Sequence, residues 1–137
     1  MEQITVPARL DRLESVLNFA GSLMTRAGMD KKQQSNIMIA VEEIFVNIAT
    51  YAYPSGEGEV MFKMAFPPGK VALEFADSGI PYNPLVKEDP DTSLSVEDRE
   101  AGGLGIYMVK NMMDSMEYRY EENKNILVLE KRLVFRR

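Results

Sequence analysis

A chain of 137 residues with 45% hydrophobic and 27% charged content has room for one ordinary globular core, and a second core would leave each half too small. The net charge of -5, with no cluster of Lys and Arg to displace counterions, excludes a nucleic-acid partner. The absence of both cysteine and histidine removes disulfides, thiolate chemistry and every Ser-His or Cys-His triad.

The opening residues 1–7 carry neither the basic stretch nor the apolar run of a signal peptide. No segment approaches the roughly 20 apolar residues that cross a bilayer. A single cytoplasmic, membrane-free domain over residues 1–137 is therefore expected. Leu10, Leu13, Leu17, Ala20 and Met24 recur at spacings of three and four, which predicts an amphipathic helix over residues 10–27, ended by Gly28. A longer helix is predicted over residues 31–51, with Asp30 as N-cap and Ile37, Val41, Ile44, Phe45 and Ile48 as its buried stripe. Pro54 and Gly56 break the chain after it.

Alternation of Val60, Phe62, Met64 and Phe66, and again of Val71, Leu73 and Phe75, predicts two antiparallel strands joined through Pro67-Pro68-Gly69. A third helix fits residues 104–113, followed by strands over residues 116–121 and 126–135 joined at 122–125. Hairpin strands with helices grouped apart give an α+β fold, a two-layer sandwich with a mostly antiparallel sheet and helices on one face. Residues 78–101 hold three prolines and no periodicity. A structureless loop longer than about 15 residues in a compact domain is functional or disordered, so this segment is read as a lid.

Three short motifs carry chemistry. Glu43 and Asn47 stand four apart on the second helix, about 40° apart around its axis, on a face turned well away from the apolar stripe. Asn47 offers a neutral oxygen for Mg²⁺, and Glu43 a carboxylate base for a hydroxyl or water. The second motif, Asp77-Ser78-Gly79-Ile80-Pro81, begins as a strand ends. An ionised carboxylate only accepts hydrogen bonds, which suits the exocyclic amine of adenine and not the carbonyl of guanine, and Gly79 lets a base approach the backbone. The third, Gly102-Gly103-Leu104-Gly105-Ile106, leads into a helix whose N–H groups and dipole favour a phosphate. It is not a Walker loop, since no Gly-x-x-x-x-Gly-Lys-Ser/Thr occurs.

In this order, the motifs resemble the N, G1 and G2 boxes of the gyrase, Hsp90, histidine-kinase and MutL ATPase superfamily. Asp77 to Pro84 and Gly102 to Val109 are most similar to the anti-sigma-factor serine/threonine kinases. The resemblance spans nearly the whole chain. It implies a Bergerat-type sandwich that binds ATP and Mg²⁺, with Glu43 as base, Asn47 on the metal, Asp77 on adenine, and Gly102, Gly103, Leu104 and Gly105 around the phosphates. Two departures stand out. Ala49, Thr50 and Tyr51 follow Asn47 where the family often has a His, and the basic lid residue that usually lies just before the glycines is displaced to Arg99. The chain has neither the phosphoacceptor His nor the length of a sensor histidine kinase. The resemblance thus implies a switch kinase that phosphorylates a small antagonist protein, sequesters a sigma factor and forms a homodimer. The alternative is a non-catalytic module that uses ATP only to set its partner preference.

Overall fold

The computed structural model describes residues 2–86 and 103–133. Strand β1 (Glu2–Pro7) leads through a 3-10 turn at Leu10–Arg12 into helix α1 (Leu13–Arg26), which is followed by α2 (Lys31–Tyr51). The hairpin β2 (Glu59–Ala65) and β3 (Lys70–Asp77) comes next, then a 3-10 turn at Pro84–Val86. Helix α3 (Gly103–Met112) precedes a second hairpin, β4 (Ser115–Glu121) and β5 (Lys124–Arg132). The five strands form one sheet in the order β1-β2-β3-β5-β4, and every pairing is antiparallel. The expected α+β architecture is present, with one more strand than the sequence pattern indicated.

That extra strand is β1, where Ile4 and Val6 face the core between exposed neighbours and Val6 pairs with Val60. Strands β2 and β5 alternate, and β3 does so up to Phe75, Ala76 and Asp77, which are all buried. Val60, Phe62 and Met64 of β2, Val71, Leu73 and Phe75 of β3, and Leu127 and Leu129 of β5 are all buried, on the side where the helices lie. Phe62 sits at the centre, its ring 6.0 Å from that of Phe19 on α1 and 4.9 Å from that of Phe75. The opposite face stays polar, where Glu74 lies 3.5 Å from Lys63 on the adjacent β2 and 3.9 Å from Arg119 on β4, beyond β5. Such exposed pairs add little stability, but they keep that face wetted.

Helix α2 begins where the sequence places it: the Asp30 side chain accepts the Gln33 N–H at 2.8 Å, satisfying one of the first-turn donors. All five expected stripe residues are buried, together with Ala40. Helix α1 departs from expectation. It buries Val16, Ala20, Leu23 and Met24, whereas Leu10 lies in the preceding 3-10 turn and is 59% exposed. Of the expected stripe Ala20 and Met24 are buried and Leu13 and Leu17 pack partly buried against the core, while Phe19 of this helix meets Phe62 of the sheet. The second hairpin is tighter than expected, since only Glu122 and Asn123 form its turn, both with positive φ (51° and 63°), which matches the right-handed twist of the flanking strands.

Candidate functional site

Helix α2 and the sheet diverge near the end of β3 and enclose a cavity of about 430 Å³. Its walls are apolar, from Ile44 and Ile48 on α2, Phe75 on β3 and Leu127 on β5. Three polar side chains interrupt them: Asn47, Asp77 and Asn125. Tyr51, Tyr82 and Tyr118 also contribute to the lining. An apolar pocket of this size with a few convergent polar groups is the usual form of a small-molecule site.

Asp77 is the floor. It ends β3, buried with only 7% of its surface exposed, paired opposite Val60 of β2 and Asn125 of β5. Its Oδ1 accepts the Gly79 N–H at 2.9 Å and the Asn125 amide at 3.0 Å. Its Oδ2 has no partner among the described residues, although the side chain lines the cavity. Burial pushes the Asp77 carboxyl above the usual carboxylate range, and the hydrogen bonds from Asn125 and Gly79 pull it partway back. A buried acceptor left open in this way costs free energy until something donates to it.

The loop after Asp77 is stitched to α2. Ile80 N–H donates to the Ala52 carbonyl at 2.9 Å, and the Tyr53 hydroxyl accepts the Ser78 N–H at 2.8 Å while donating to the Glu59 carbonyl at 2.6 Å. A Cβ on Gly79 would fall against the Ala52 carbonyl. Gly79 therefore permits a close approach to the backbone of Ala52, just past the end of α2, a residue that also lines the cavity. Leu85 N–H caps back to Asn83 Oδ1 at 2.9 Å. Of the segment read as a lid, residues 78–86 thus belong to the body of the fold. Residues 87–101, with Arg99, and Gly102 lie outside the described residues.

On α2, Asn47 lines the cavity beside Ile44 and Ile48. Its side chain is half-buried, and its amide has no partner among the described residues. Glu43 lies one turn earlier and meets α3. A Cβ added to Gly105 would fall on the Glu43 carboxylate, so the absence of a side chain at Gly105 leaves that carboxylate room. Helix α3 starts at Gly103, which puts Gly103, Leu104 and Gly105 in its first turn and not in a loop before it. The structure thus brings Glu43 to Gly105, and Asn47 to Asp77, along one helix.

Residues 6–131 match the histidine kinase-like ATPase domain. The chain belongs to that family. Among its relatives, serine-protein kinase RsbW of Bacillus mycoides (strain KBAB4) is 23% identical over 130 residues, covering 92% of this chain and 81% of the relative. The RsbW of Bacillus cereus (strain AH187) is 24% identical over the same length and coverage. The solved structure of the RsbU and RsbW domains of Rv1364c from Mycobacterium tuberculosis shares the fold at a TM-score of 0.63 and 15% identity. It covers 97% of this chain, which spans 33% of that longer one.

Sequence reasoning missed Asn125, Tyr53, Tyr82 and Tyr118. Asn125 pairs opposite Asp77 in the β3–β5 register, a relation that neither local stretch displays. The only local sign of Asn125 was a polar residue at the head of an alternating apolar run. No helix among the described residues is long and apolar enough to cross a membrane.

Proposed function

We propose that this member of the histidine kinase-like ATPase family binds Mg-ATP in the cavity beside α2 and acts as a cytoplasmic serine/threonine kinase of the anti-sigma-factor kind. Its acceptor would be a small antagonist protein, its regulatory target a sigma factor, and its working form a homodimer. The observation that carries this reading is Asp77, a buried carboxylate with one oxygen committed to the protein and the other open to an apolar cavity. An acceptor in that setting recognises the amine of adenine and disfavours the carbonyl of guanine. The family match and the serine-kinase relatives support the same direction.

The remaining residues fit the rest of the nucleotide. Among the described residues, no cluster of three or more acidic side chains could cage a metal. Mg²⁺ would be held by the Asn47 side-chain oxygen together with the phosphates it accompanies. Bound there, the ion would supply charge neutralisation, the main requirement of phosphoryl transfer. The first turn of α3 at Gly103 and Gly105 offers N–H groups and a positive dipole end to phosphate. Glu43, beside Gly105, would orient the acceptor hydroxyl and take its proton.

The test is phosphotransfer from labelled ATP to a candidate antagonist protein, by wild type and by Glu43→Gln. The variant should keep ATP affinity and lose roughly 10²- to 10⁴-fold in rate. Mg-ATP at about 100 times its dissociation constant should also stabilise the wild type by roughly 2.7 kcal/mol, and Mg-GTP should not. Tight ATP binding with no phosphate on a bound antagonist, and Glu43→Gln indistinguishable from wild type, would replace the kinase by a nucleotide-set binding module.

A further inference from the structure

Asn125 opens β5 with 7% of its surface exposed and spends its whole hydrogen-bonding capacity inside the protein. Its Nδ2 donates to Asp77 Oδ1 at 3.0 Å and to the Ile80 carbonyl at 2.9 Å, with the Gly79 carbonyl at 3.5 Å. Its Oδ1 accepts the Tyr82 N–H at 3.0 Å and the Tyr118 hydroxyl. The orientation of the amide follows from its partners, since the Tyr82 N–H can only donate and the Ile80 carbonyl can only accept. Two donors and a doubly accepting oxygen are needed here at once. Aspartate at this position would supply no donor and would set a second carboxylate against Asp77, and leucine would remove the partner of the Ile80 carbonyl, the Tyr82 N–H and the Tyr118 hydroxyl and leave Asp77 Oδ1 with Gly79 alone.

We propose that Asn125 is the positioning residue of the nucleotide site: it holds Asp77 with Oδ1 turned into the protein and Oδ2 turned to the base, and it ties that carboxylate to the loop through Tyr82. This rests on the reading of Asp77 as the adenine acceptor. Asn125 has no donor or acceptor left for a ligand, so it acts on the purine through Asp77. It also opposes the effect of burial, because a hydrogen bond donated to a carboxylate favours its ionised, accepting form. Tyr53 at the end of α2 and Tyr118 on β4 are the titratable groups facing Asp77, with Glu59 of β2 behind Tyr53. Burial raises both phenols, so they stay protonated where Asp77 titrates; burial also raises Asp77, and the Asn125 hydrogen bond opposes that rise.

The experiment follows the Asp77 carboxyl by ¹³C NMR in the apo protein across the acid-to-neutral range, alongside affinity for a fluorescent ATP analogue over the same range. In Asn125→Ala the carboxyl should titrate at higher pH than in wild type. Affinity should fall by about tenfold or more at neutral pH, the loss of one hydrogen bond to a charged group, and further toward acid. Tyr118→Phe, on a half-exposed strand, keeps Asn125 but removes one of its anchors, and should move both readouts the same way by less. An unmoved Asp77 titration in Asn125→Ala, or an affinity loss equal at every pH, overturns the proposal. If Asn125→Ala does not fold, an unmoved titration in Tyr118→Phe overturns it. If the wild type binds no ATP, the proposed function fails, and the apo titration alone still decides the role of Asn125.

Discussion

The glycines at 79 and 105 make opposite predictions from one kind of contact. A Cβ at Gly105 meets the end of the flexible Glu43 side chain, whereas a Cβ at Gly79 meets the backbone carbonyl of Ala52. In Gly105→Ala, removing a glycine from a helix gains about 0.5–1 kcal/mol, largely through the unfolded chain. Moving Glu43 to another rotamer costs a similar about 0.5–1.5 kcal/mol, and Glu43 has no hydrogen bond among the described residues to lose. The two nearly cancel, so the melting temperature should stay within about 5 °C of wild type. Gly79→Ala has no such escape. Overpacking against a backbone costs about 1–3 kcal/mol, and prying Ile80 N–H from the Ala52 carbonyl adds about 1 kcal/mol, so melting should fall by roughly 10 °C. Phosphotransfer should behave in reverse order of stability for Gly105→Ala: a folded protein at least about 10²-fold slower, because its Glu43 no longer points at the acceptor. Scanning fluorimetry and a phosphotransfer assay on both variants measure this. A Gly105→Ala enzyme as fast as wild type would refute Glu43 as the base, and one that melts as early as Gly79→Ala would refute the packing argument.

Asp77→Asn should lose adenine-dependent binding, read by calorimetry, while its apo form melts at or above wild type at neutral pH. The sign follows from a folded-state Asp77 carboxyl raised by burial: its contribution is fully present below the ordinary aspartate range and is lost as pH rises through the raised value, so the advantage of the amide should vanish in acid. Asp30→Ala should cost about 1 kcal/mol by freeing the Gln33 N–H, a fall of a few degrees in melting temperature with ATP affinity unchanged, since the cap lies at the far end of α2 from the cavity.

Helix α2 was legible because its signals are local and mutually consistent: an Asx cap, a continuous stripe of Ile37, Val41, Ile44 and Ile48, and a Pro54 stop. The hairpin of β2 and β3 was legible for the same reason, by alternation on both sides of a Pro-Pro-Gly turn. Strand β1 was not, because an edge strand is paired on one side only and its Glu2, Gln3 and Thr5 are exposed, leaving too few apolar residues for a pattern. The true stripe of α1 depended on which residues Phe19 and its neighbours present to the sheet, a choice made by tertiary packing. The contact of Gly79 with the Ala52 backbone was not legible, since Ala52 lies across an intervening hairpin in sequence.

The candidate site divides along the same line. Glu43, Asn47 and Asp77 could be picked out because each lies in a short local motif, Glu43 and Asn47 four apart on one helix and Asp77 ahead of Ser-Gly at a strand end, and the motifs fall in the order of a known family. Asn125 is equally polar and equally buried, yet its meaning lies in the pairing of Asp77 with Asn125 across β3 and β5 and in a carbonyl and an N–H from the loop. A group that is fully satisfied looks structural until its partners are known, and the partner that matters here is the carboxylate with the open oxygen. The two kinds of residue are coupled energetically as well: the strain of burying an unsatisfied Asp77 is sustained by the hydrogen bonds Asn125 and Gly79 give to its other oxygen, so a ligand that donates to Oδ2 recovers free energy the apo fold has already spent.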